Sequence, residues 1–192
     1  MAAYEVRTRR FTRAEYERII EAGVFQPGEA MELLGGELII AEPQGAAHYT
    51  AIVKTMRALE TAFGAGWTVR MQGPIGLDDE SEPEPDVAVV RGTIEDYRRE
   101  HPQRPALIVE VAESSLMIDR QHKASLYARA GLSDYWIVNL VDRVLEVYRE
   151  PVADAAAPFG WRYARAEVCN ASARLAPLAA PGSSVAVAQL LP

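Results

Sequence analysis

The chain has 192 residues, 49% of them hydrophobic and 24% charged, ordinary proportions for a globular protein with enough length to bury a core. Twenty lysines and arginines against 27 acids leave a net charge of −7, which argues against a protein that grips nucleic acid over a broad basic face. The lone Cys169 excludes an internal disulfide and fits a reducing, cytoplasmic setting. The opening residues lack the apolar core of a secretory signal, and no long uninterrupted apolar run suggests a membrane span.

No fixed-period repeat is visible, and a single domain over residues 1–192 is expected. Thr12 to Ala22 reads as a helix, with Thr12 and Glu15 forming a capping box and Gly23 ending the run. Two apolar arms within 31–40, joined by Gly35-Gly36, read as a β-hairpin. Pro43-Gln44-Gly45 reads as a loop. His48 to Phe63 then carries Ile52, Met56, Leu59 and Phe63 at helical spacing, and Gly64 stops it. A strand is expected at 67–72, followed by an acidic, proline-rich loop to Pro85. Asp86 opens the next apolar strand, and part of 93–100 suits a short helix. Residues 106–112 form another apolar strand, which carries Glu110. A helix over 120–130 follows, with Asp119 as the expected N-cap and Gly131 just past its end. Residues 134–139 read as a buried strand and 143–149 as a half-exposed one. Trp161 to Val168 suits a strand, and 183–190 a strand or a short helix. This order predicts an α/β (α+β) arrangement, a mixed sheet with helices on its faces.

Three charges occupy positions where the pattern calls for apolar residues. Asp86 begins a strand, where it suits either a metal ligand or a turn residue after proline. Glu110 lies inside a strand that looks buried on both faces, although a solvated place at the sheet's end also fits. Lys123 shares a helical stripe with Leu126, Tyr127 and Ala130. Its ammonium either snorkels to water or aims at the sheet's carboxylates. Together the three suit metal-assisted hydrolysis. Asp86, Glu110 and the Val111 carbonyl would hold a hard divalent cation, and Lys123 would stabilise charge developing on a phosphate. Glu32 on the hairpin is a candidate third carboxylate or an ordinary strand residue. His48, at a helix start, is a candidate site residue or a capping or surface histidine. No Walker-type loop, zinc-ligand cluster or Gly-x-Ser-x-Gly elbow is present.

The ordered set Glu32-Leu33-Leu34-Gly35-Gly36-Glu37-Leu38, His48, Pro85-Asp86-Val87, 107–115, Asp119-Arg120, Lys123, 126–131 and Tyr135-Trp136-Ile137-Val138 resembles the Uma-two family of restriction-endonuclease-like proteins. The resemblance implies the PD-(D/E)XK nuclease fold, a central mixed sheet flanked by helices. It also implies Asp86 and Glu110 as the acidic motif residues, and the divalent cation expected between them is Mg²⁺ or Mn²⁺. The motif's lysine would fall at Ala112; in this family it has moved to the following helix, which points to Lys123. Asn139 departs from a usual aspartate and Ser133 from a common proline.

The function expected is metal-dependent hydrolysis of DNA phosphodiester bonds. The rival expectation is a catalytically silent nuclease-fold module for binding or assembly. The net charge of −7 and the acidic loop favour that rival, and an apolar patch in the Ala-rich tail would then serve a homodimer. No membrane partner is expected.

Overall fold

The computed structural model describes residues 8–26, 28–40 and 44–192; the opening segment and Pro43 of the expected 43–45 loop lie outside the described residues. Helix α1 (Arg13–Glu21) starts at Thr12, whose side chain accepts from the Glu15 backbone while Glu15 reaches back to the cap. Of its expected apolar stripe, Tyr16 is buried, whereas Ile20 faces solvent. The hairpin β1 (Met31–Leu34) and β2 (Glu37–Ile40) turns at Gly35 and Gly36, with φ of 58° and 84°. Two consecutive left-handed residues give the turn that matches strand twist, and glycine adopts them without strain.

Helix α2 (Ala46–Phe63) begins two residues earlier than its apolar spacing suggests, so His48 lies in its first turn. Strands β3 (Trp67–Met71), β4 (Val87–Arg91), β5 (Leu107–Ala112), β6 (Asp134–Asn139), β7 (Val144–Ala153) and β8 (Trp161–Cys169) form a six-stranded sheet in that order. All neighbours are antiparallel except β5 and β6. Parallel neighbours need a crossover. Here it is a continuous helical run of α3 (Leu116–Ile118), a π-helical stretch (Asp119–Lys123) and α4 (Ala124–Arg129). Asp119 is therefore inside the run rather than its cap. The chain is already helical from Leu116, and Ser115 Oγ donates to Asp119 at 2.6 Å.

The sheet has a core on each face. On one, Ile52, Leu59 and Phe63 of α2 pack with Val87, Val89, Val109, Val111 and Trp136. The tail's Val185, Val187, Leu190 and Leu191 join that same core, while Leu178 stays exposed. On the other face, Ala124, Tyr127 and Ala128 of α4 cover Ile108, Ala112, Tyr135 and Ile137. Glu110 lies between Ile108 and Ala112 on this second face, directly under the helix that carries Lys123. Two-residue strands β9 (Arg174–Leu175) and β10 (Val185–Ala186) close the chain with a 3₁₀ turn. Among the described residues, no helix is long and apolar enough to cross a membrane.

Candidate active site

Asp86, at the residue before β4, and Glu110, on β5, are laced together through the backbone. Asp86 N–H donates to Glu110 Oε2 at 3.2 Å, and Val111 N–H donates to Asp86 Oδ2 at 2.8 Å. Antiparallel pairing of β4 with β5 sets this register. Lys123 Nζ donates to Glu110 Oε1 and to Glu32 Oε1, both at 3.1 Å. The ammonium is buried and does not snorkel outward.

The π-helical stretch is part of that placement. Ala124 N–H bonds back five residues to the Asp119 carbonyl, which widens the turn. Asp119, Lys123 and Tyr127, four residues apart, then look toward β5. Tyr127 Oη donates to Glu110 Oε1 at 2.6 Å. His48 enters from α2, on the other side of Asp86, with Nε2 3.4 Å from Asp86 Oδ2. Its Nδ1 is buried without a hydrogen-bond partner among the described residues. Gln44 donates to Asp86 Oδ1 at 3.3 Å, and Gln72 donates to Gln44.

Asp86, Glu110, Lys123, Glu32, Asp119 and His48 line a cavity of about 400 Å³, with Tyr127 behind Glu110. Among the described residues, six acids face it (Glu32, Glu84, Asp86, Glu110, Glu113 and Asp119), against one lysine and one histidine. Burial pushes Glu110 up to about 8, with Lys123 opposing and Asp119, Asp86 and Glu32 adding to the rise. Burial likewise raises Asp119 to about 6. For Lys123, burial disfavours the charged form, but Glu110, Glu32, Asp119 and Asp86 outweigh it and hold the ammonium well above its ordinary range. His48 follows the same logic: burial works against protonation, and the Asp86 hydrogen bond and charge prevail.

The sequence-derived residues Asp86, Glu110, Lys123, Glu32 and His48 all line this one cavity. Val111 contributes its backbone beside Asp86. Sequence reasoning missed Tyr127 as a Glu110 partner and Asp119 as a cavity acid. Both lie at four-residue spacing from Lys123, a signal that could have found them.

A family model described as "Putative restriction endonuclease" matches residues 13–188, most of the chain. The chain belongs to the Uma2 family. A solved structure similar to this Uma2 protein, described as a putative nuclease belonging to DUF820 from Anabaena variabilis ATCC 29413, shares 16% identity over 84% of this chain and 89% of that one, with a TM-score of 0.63. At that identity the likeness establishes the nuclease-like fold and nothing finer. No curated protein matches the chain.

The cavity's donor set bears on a cation. Among the described residues, no group of three or more His, Cys, Asp or Glu side chains forms a ready-made cage. The available donors are the Asp86 and Glu110 carboxylates, oxygen ligands suited to a hard divalent ion that keeps several waters. The surplus of buried acid over base leaves negative charge that a cation would offset. The residues fit such an ion.

Proposed function

We propose that this Uma2 protein is a metal-dependent endonuclease hydrolysing DNA phosphodiester bonds in the cytoplasm, with residues 1–192 acting as one domain. The observation that carries this reading is the hydrogen-bonded convergence of Asp86, Glu110 and Lys123 on one acid-rich cavity. Asp86 and Glu110, with the Val111 carbonyl, would hold Mg²⁺ or Mn²⁺. Such an ion, when bound, supplies polarisation of the phosphate and a water of lowered pKa.

The chain's own groups do the rest. Lys123, held protonated by its carboxylate neighbours, presents N–H donors to negative charge building on the phosphate oxygens. Tyr127 fixes the Glu110 carboxylate through Oε1, leaving Oε2 oriented by the Asp86 amide. His48 and Gln44 hold Asp86 from the α2 side. Glu32 pins the ammonium from the hairpin.

Incubation of supercoiled plasmid with the purified protein and Mg²⁺ or Mn²⁺ tests this. Nicking or linearisation is expected, abolished in Asp86→Ala and in Lys123→Met. A folded protein that cuts neither plasmid nor oligonucleotide with either ion refutes the proposal and favours a binding or assembly module.

A further inference from the structure

Strand β8 is the last strand of the sheet and pairs only with β7 among the described residues. It is nine residues long, and residues 164–168 are exposed in succession. A long edge of this kind is normally blunted by proline, by a bulge or by a run of like charge, because it offers unpaired backbone groups to another chain. Between Tyr163 and Cys169 no proline occurs, and the two charges, Arg165 and Glu167, are of opposite sign. Val168, 68% exposed, adds an apolar side chain to the same edge.

The charges select a partner. In a two-fold antiparallel pairing of β8 with a second β8, each residue opposes one on the mate, and a two-fold axis normal to the sheet keeps like faces together. Such pairings differ in which residue sits on the axis. With Arg165 on it, the two Arg165 side chains meet; with Glu167 on it, the two Glu167 side chains meet. With Ala166 on it, Arg165 of each copy stands opposite Glu167 of the other, twice over. Ala164 then stands opposite Val168, a small side chain facing a large one. Arg165 and Glu167 already lie 3.2 Å apart within the chain, with both side chains more than half exposed. The two copies would therefore bring their pairs together as an alternating ladder. Opposite charges directly across a strand pair stabilise it, and like charges destabilise it.

We propose that a second copy of this chain docks on β8 in this register, continuing the two sheets into one. This is independent of the catalytic reading, since none of these residues lines the acid cavity.

Sedimentation velocity on the full chain tests it, with circular dichroism to verify folding. The wild type is expected to sediment at twice the 21.1 kDa chain mass at about 50 µM. Arg165→Glu and Glu167→Arg each place like charges opposite one another twice, and each should weaken the dimer at least about tenfold. The double reversal R165E/E167R restores opposite charges in the same register and should recover the dimer. A monomeric wild type at this concentration overturns the proposal. So does a dimer indifferent to the single reversals, or a double reversal that fails to recover it.

Discussion

Tyr127 Oη donates to Glu110 Oε1 at 2.6 Å, from one helical turn beyond the lysine that contacts the same oxygen. The phenol and the ammonium thus compete for one carboxylate oxygen and fix its direction. Tyr127→Phe keeps the ring's packing and removes only this donor. The expected cost is about 1–2 kcal/mol in urea unfolding. Losing a donor to the ionised form raises the Glu110 pKa further, so the acidic limb of the pH–rate profile for plasmid cleavage should move to higher pH.

Lys123→Met removes the one lysine that, among the described residues, faces the acids of the cavity. At pH 9.5, above the Glu110 pKa, the variant should lose about 3–5 kcal/mol, because buried carboxylates are left without their partner. At pH 5 the loss should be much smaller, since Glu110, raised to about 8, is then protonated and asks for no counter-charge. Equilibrium unfolding at the two pH values measures the difference. A loss equal at both would mean the lysine acts through packing alone.

The proposed metal binding has a thermal readout separate from cleavage. Mn²⁺ at ten to a hundred times its Kd should raise the wild-type Tm by about 3–10 °C. Asp86→Ala should abolish the rise. An equal rise in the variant would move the ion away from Asp86.

A second buried acid allows a pH test away from the cavity. Glu82 is 2% exposed, its Oε2 has no hydrogen-bond partner among the described residues, and burial together with Glu17 lifts it to about 7. The folded state therefore binds a proton that the unfolded chain releases near pH 4.5. Its contribution is fully present below that value and is lost as pH rises toward 7, by up to about 3 kcal/mol. Glu82→Gln should flatten this part of the stability curve and make the protein more stable than wild type at pH 8. Thermal melts from pH 4.5 to 8 follow it.

Much of the scaffold was legible because its signals are local. Thr12 and Glu15 form the expected capping box, and Gly35-Gly36 make the turn their sequence suggests. Strand β5, apolar around Glu110, is buried at every position. What escaped the sequence depends on partners distant along the chain. Asp119 resembles a helix cap in its local pattern. Only the earlier start at Leu116 and the widened turn after it place Asp119 within the helix and toward the cavity. Ile20 fits the α1 stripe, yet the helix rests on the hairpin through Tyr16, whose hydroxyl donates to the Met31 carbonyl, and leaves Ile20 in water. His48 gives no local sign of its neighbour: Asp86, 38 positions later, reaches it only once α2 lies across the sheet.

The two carboxylates that share the Lys123 ammonium lie at very different distances along the chain. Glu110 is 13 residues away, within one strand–helix unit, whereas Glu32 is 91 residues away on a hairpin that forms a small sheet of its own. The near contact closes a short loop and belongs with the central sheet, while the far one exists only when the hairpin is seated. Native-state hydrogen exchange should therefore show amides of 31–40 opening at lower free energy than those of 107–112. Each such opening would unlatch one wall of the cavity while Asp86, Glu110 and Lys123 stay assembled.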